Sequence, residues 1–229
     1  MFSKLQIYCE AIMEASWLAA AVIIPLFFNV SSSQTFEPDK AYVLTFLAII
    51  SGAACMLKRL CGDGPRKADG ASDLPFRSML RHKLVFPVLA LAAIYTLSSL
   101  FSIAPLLSWM GLYKRAQGTI TFYSYVTLFL VILSELRTTA QLKRLQHAII
   151  LASLPVAGYG ILQYFGADFL PWSNPMGDRS SGSMGNPIFL GAYLIMVMPL
   201  TFSRLVDGIG MIRLQFSRRA GLLLAGGCG

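Results

Sequence analysis

Charge is what this chain has least of. Asp, Glu, Lys and Arg make up 13% of its 229 residues, hydrophobic residues 55%, and the mean hydropathy is +0.62. A soluble domain carries about 25% charged and about 45–50% apolar residues. The shortage falls on whole blocks of sequence, which excludes an ordinary soluble domain and a disordered chain. Histidine is nearly missing, with His82 and His147 far apart. The four cysteines (Cys9, Cys55, Cys61 and Cys228) include no pair at metal-ligand spacing. That excludes a disulfide-stapled secreted module and leaves no cluster for a structural zinc. Acid is scarcer than base, 11 against 19, for a net charge of +8. In a soluble protein this excess raises the question of nucleic acid. Here the basic residues sit in connections between apolar blocks, and no basic patch is interleaved with base-stacking aromatics. The reading is topology and contact with anionic membrane lipids; no nucleic acid, metal or cofactor is expected.

What is present in quantity is long apolar sequence. A spanning helix needs about 17–25 mostly apolar residues, and six blocks qualify: 11–29, 41–57, 84–103, 118–134, 148–166 and 187–203. A seventh run starts near Ala220 and is cut off at Gly229. The expected fold is all-α and polytopic, with six transmembrane helices plus the start of a seventh, as the N-terminal part of something longer. The first block resembles a signal peptide only loosely. Glu10 and Glu14 sit in or before its apolar run, and no small-x-small cleavage site follows, so it reads as a retained helix.

The distribution of Lys and Arg sets the orientation. Fifteen of the nineteen fall on the side of the N-terminus, in Lys4, the Lys58–Lys83 connection, the Arg137–Arg144 connection and the stretch from Arg204 onward. Lys40, Lys114, Arg115 and Arg179 fall on the other. By the positive-inside rule the N-terminus is cytoplasmic. Cys9, Cys61 and both histidines then face the reducing side. Pro38 opens the second span with Glu37 and Asp39 at its positive end. Trp109, Tyr113 and Trp172 fall in outer loops, where amphipathic rings prefer the interface. Pro25, Pro87, Pro155 and Pro199 fall within spans, where kinks are expected.

The outer loops carry the chemistry. A cation there runs against the topology rule, so its presence asks for a reason. One stretch, Ser108 to Gly118, contains Lys114 and Arg115. The other, Asp168 to Pro187, contains Arg179, a Gly/Ser linker and Gly185-Asn186-Pro187 at the mouth of the sixth span. Glycine lets backbone approach a ligand closely. A helix start offers free N–H groups and positive potential. The guanidinium fork of Arg179 suits phosphate oxygens. Together these describe an anion site. The alternative is that Arg179 pairs with Asp168 or Asp178, or reaches lipid phosphate. The residues alone leave both open.

These same stretches resemble the O-antigen ligase family, within the ligase/polymerase superfamily of bacterial surface glycans. The likeness is strongest to long members with a C-terminal tetratricopeptide region. The segments that carry it are PLFFNVSSSQTFEPDKAYVL, LSSLFSIAPLLSWMGLYKRAQGTITFYSYVTLF, LPVAGYGILQYFGADFLPW and DRSSGSMGNPIFLGAYLIMVMPL. The resemblance implies a glycosyltransferase of about a dozen spans in the bacterial inner membrane. Such an enzyme takes a glycan from an undecaprenyl diphosphate carrier at the periplasmic face. It passes the glycan to lipid A–core, a polymer or a protein, without metal or nucleotide sugar. Arg179 then matches the family arginine that holds the diphosphate, as the catalytic cation. Arg115 matches a second recurring outer arginine. Lys114, Gly185 and Asn186 would complete the substrate-binding set. The family's main outer loop, with its further Arg and its His, has no counterpart here, so this chain alone is expected to be inactive. The alternatives are a transporter or flippase-like permease, and a non-catalytic membrane subunit of glycan assembly. The lack of ionisable groups in the spans, Glu14 apart, weighs against ion-coupled transport.

Overall fold

The computed structural model describes residues 2–29, 36–61, 83–168 and 179–225. The basic connection over 62–82, Trp172, Asp178 and Cys228 lie outside these. Every regular element among the described residues is helical. In chain order they are α1 (Phe2–Leu26), α2 (Glu37–Leu60), α3 (Val85–Leu100), α4 (Pro105–Met110), α5 (Thr119–Glu135), α6 (Thr139–Tyr164), a 3-10 turn (Gly182–Met184) and α7 (Pro187–Ala225).

The six expected spans fall on six separate helices, but not all six are long enough to span. Four are long and apolar enough to cross a membrane: Lys4–Leu26, Glu37–Leu60, Thr139–Tyr164 and Pro187–Ile209. α3 and α5, with 16 and 17 residues, are apolar but shorter. At about 1.5 Å rise per residue they fall short of a hydrocarbon core about 30 Å thick.

Three expectations need correction. The seventh run is no separate helix start, because α7 continues unbroken from Pro187 to Ala225. Arg204, Asp207 and Arg213 lower the hydropathy there, yet no proline follows Pro199, and the helix runs through Asp207-Gly208 without a break. Pro87 lies in the first turn of α3, where its missing N–H costs no intrahelical bond; Pro25, Pro155 and Pro199 do lie inside helices. Trp109 lies in the short helix α4 rather than a loop.

The bundle is built inside out compared with a soluble protein. Its contacts use small residues: Cys9, Ala41, Ala48, Ser51, Ala54, Ala92, Ala152 and Ser153 are buried. Large side chains such as Phe46, Ile49, Phe86, Leu151, Leu154 and Ile195 point outward and are exposed. In lipid, outward burial of side chains drives nothing, and small residues let helix backbones approach. Gly52 illustrates this: a Cβ there would meet Thr127 Cγ2 at 3.1 Å, so α2 and α5 depend on the missing atom. α1 and α2 run antiparallel. Met13 and Trp17 pack with Ala54, Cys55 and Val131, and Ala20 and Ile24 pack against Leu44 and Ala48.

Helix alternation gathers side chains at two ends. At one end Lys58 Nζ lies 3.1 Å from Glu10 Oε1 and 2.5 Å from Glu135 Oε2, with Arg137 Nη2 3.8 Å from Glu135 Oε1. There too Arg144 donates to Glu14 at 2.6 Å, and Arg204 to Gln146 at 2.5 Å. Thr138 and Gln141 form a reciprocal capping box that starts α6. The other end holds the second set of groups, among them Lys40, Arg115 and Arg179.

Candidate functional site

The Lys40 end is assembled from two connections and the start of α2. The first is the loop from Gly111 to Gly118. Its two glycines pinch together, since a Cβ on Gly118 would collide with Trp109 O and Gly111 N. Gly111 has φ 83, which favours glycine at the end of α4. Inside the loop Arg115 N and Ala116 N both donate to Leu112 O, at 2.9 and 2.7 Å. Thr121 Oγ1 fixes Ala116 O at 2.6 Å, and Thr119 Oγ1 donates to Ser108 O at 3.1 Å. The result is a closed loop displaying exposed Leu112, Tyr113, Lys114 and Arg115. Arg115 Nε lies 3.5 Å from Glu37 Oε2 and remains 66% exposed. Two clefts flank α4. One of about 480 Å³ is lined by Tyr42, Pro105, Leu106, Met110 and Tyr113. The other, about 290 Å³, is lined by Tyr95, Ser99, Ser108, Gln117 and Thr119.

The second connection runs from Arg179 into α7. Arg179 is exposed, and the residues after it are strapped to three helices. Ser180 Oγ donates to Gly160 O at 2.7 Å. Ser181 N and Gly182 N both donate to Gln163 Oε1, at 3.1 and 2.7 Å. Ser183 Oγ donates to Pro25 O at 2.6 Å. Gly185 adopts φ 72, and a Cβ there would collide with the Phe36 ring. Phe36 stacks on Phe28, which stacks in turn on Tyr159.

Asn186 has a narrower task than expected. Its side-chain Oδ1 accepts from Ile188 N at 2.9 Å, and its carbonyl accepts from Leu190 N at 3.0 Å. It is therefore the N-cap of α7, followed by Pro187, which has no N–H. Of the free N–H groups expected at this helix mouth, proline lacks one and the Asn186 side chain occupies the one on Ile188.

The carboxylates at this end are held by protein partners. Glu37 meets Arg115, and Asp39 accepts from Asn29 Nδ2 at 3.1 Å. Asp168 accepts from Tyr159 OH at 3.0 Å and Gln163 Nε2 at 3.1 Å. Asp178, the remaining sequence candidate for pairing with Arg179, lies outside the described residues. Among the described residues no group of His, Cys, Asp and Glu could hold a metal ion.

The sequence reading missed Lys40 as more than a topology cation. Its Nζ donates to Ser183 O at 2.6 Å and approaches Met184 Sδ at 3.8 Å. Gln163 was also missed; its amide grips the Ser181-Gly182 backbone and Asp168 together. The sequence held one signal for Lys40, a basic residue in the first turn of a helix, where the macrodipole opposes a cation. Lys40 and Glu37 lie three residues apart on one face of α2. Through them that first turn touches both cationic connections. Compared with family models, curated proteins and solved structures, the chain matches none of them.

Proposed function

We propose that this chain forms the donor-binding part of a membrane glycosyltransferase that moves a glycan from an undecaprenyl diphosphate carrier to an acceptor at the periplasmic face. The resemblance of the Arg115 and Arg179 stretches to the O-antigen ligase family motivates the reading. One observation carries it: Arg115 and Arg179 are exposed cations on two connections fastened to the same helix start. Around them the described carboxylates are engaged with protein partners.

The chemistry suits such a site. The acceptor oxygen forms a bond to the anomeric carbon as the bond from that carbon to the diphosphate oxygen breaks. The acceptor proton passes to a base, and negative charge grows on the leaving undecaprenyl diphosphate. Cations already in position stabilise that charge without reorganising. In this scheme Arg179 holds the diphosphate and Arg115 supports it, with Lys114 on the same loop. Gly185 and Asn186 shape the start of α7 beside them. The acceptor is lipid A–core, a polymer or a protein, and no metal or cofactor takes part.

The test is glycan transfer to lipid A–core in a ligase-deficient host. The full-length gene is compared with its Arg179→Ala variant at matched membrane levels. The expected loss is about 10²-fold or more, the usual effect of removing one preorganised charge-stabilising donor. Transfer equal to the parent's would take Arg179 out of the mechanism. A parent that transfers nothing to lipid A–core would reject that acceptor and move the test to polymer and protein acceptors.

A further inference from the structure

The geometry points to the first turn of α2 as a clamp that sets the spacing of the two cationic connections, with Lys40 as its positioning residue; this rests on the diphosphate-binding reading above. Glu37 and Lys40 stand one turn apart on the same helix face and reach in different directions. Glu37 takes Arg115 Nε at 3.5 Å, on the connection between α4 and α5. Lys40 takes Ser183 O at 2.6 Å and Met184 Sδ at 3.8 Å, on the connection between Arg179 and α7. Phe36, the residue just before α2, closes against Gly185. One rigid turn of helix therefore touches both segments, which are far apart in sequence.

The placement of Lys40 needs such a role. A lysine in the first turn of a helix is opposed by the positive end of the dipole. The atoms its Nζ meets, a carbonyl oxygen and a thioether sulfur, are both neutral. A partly buried ammonium gains from a hydrogen bond of this kind by fixing the acceptor. What it fixes here is the backbone four residues after Arg179. A bidentate or bridged diphosphate senses the distance between its cations, so a shift of about 1 Å in one of them is costly.

Three measurements on the full-length protein in detergent test this. The first is amide hydrogen exchange over residues 181–186 in the parent, Lys40→Met and Lys40→Arg. The second is affinity for farnesyl diphosphate, a soluble prenyl diphosphate. The third is a double-mutant cycle of Lys40→Met with Arg179→Ala on that affinity. Lys40→Met is expected to speed exchange over 181–186 and weaken farnesyl diphosphate binding about tenfold, the effect of losing one charged hydrogen bond. Lys40→Arg is expected to restore most of both. The cycle is expected to be non-additive, since Lys40 acts through the segment that carries Arg179. Unchanged exchange in Lys40→Met overturns the clamp. Faster exchange with unchanged or additive binding effects overturns the positioning role. A parent that binds no farnesyl diphosphate, whatever its exchange shows, overturns the diphosphate reading and this role with it. If Lys40→Met does not reach the membrane, Lys40→Gln takes its place with the same expectations.

Discussion

The two ends of this bundle treat charge in opposite ways. At the Lys58 end, acids and bases answer each other: Glu10, Lys58, Glu135 and Arg137 form one network, and Glu14 with Arg144 another. Lys58 is 16% exposed and Glu135 9% exposed, so that pair is largely shut off from water, while Glu10 is 44% exposed. At the Lys40 end, the Arg115–Glu37 contact is longer, 3.5 Å, and its arginine is 66% exposed. There the chain is held by backbone carbonyls, an amide side chain and glycine turns. The first arrangement ties helix termini together through charge. The second fixes the backbone with neutral groups and the Lys40 ammonium and keeps Arg115 and Arg179 exposed, an arrangement suited to an external anion.

The sharpest way to break this contrast is Lys58→Met. It leaves Glu135 buried beside Glu10 with its closest cation gone. Removing one partner of a buried pair costs about 3–5 kcal/mol. Thermal unfolding in detergent is expected to show a loss near that size, and a loss below about 1 kcal/mol would show that the network is a surface feature. Farnesyl diphosphate affinity measured below the unfolding transition is expected to stay at the parent value, because the altered group lies at the opposite end.

A smaller effect is expected from Gly185→Ala. The methyl group meets the Phe36 ring, and the backbone keeps φ 72, a region that L residues adopt at a cost. Together these are expected to destabilise by about 2 kcal/mol. In contrast with Lys58→Met, this change is expected to weaken farnesyl diphosphate binding, because it moves the segment between Arg179 and α7. Unaltered stability together with unaltered binding would show that the turn yields easily. The smallest of the three is Thr138→Ala, which removes the capping box of α6. Its expected cost is about 1 kcal/mol, read as a lower unfolding temperature, with diphosphate binding unchanged. A cost indistinguishable from zero would show that packing alone sets the start of α6.

Much of the helical architecture was legible because apolar run length is a one-dimensional signal. Pro38 was placed correctly at the start of α2, since proline at a first helical turn follows from the missing N–H. Helix ends within charged sequence were less legible. α7 continues past 203 because Arg204 and Asp207 lower hydropathy without breaking a helix. The six-residue α4 was missed, although Pro105 at its start and Gly111 just after its end are the usual punctuation. At the candidate site, Arg115 and Arg179 stood out as cations against the topology rule. Lys40 did not, because its importance lies in a contact with Ser183, 143 residues away. The capping role of Asn186 was readable from the Asn-Pro pair before an apolar run, yet the helix start was read as open. Ser183 reaching Pro25 O had no sequence signal at all.

The most direct test of the contrast is photo-crosslinking of the full-length protein with a photoreactive polyprenyl diphosphate, followed by peptide mapping. The account predicts labelling of the 105–118 and 179–190 segments, competed away by unlabelled undecaprenyl diphosphate and reduced in Arg179→Ala. Labelling centred on the Glu10, Lys58 and Glu135 end, or labelling that unlabelled diphosphate does not displace, would contradict it.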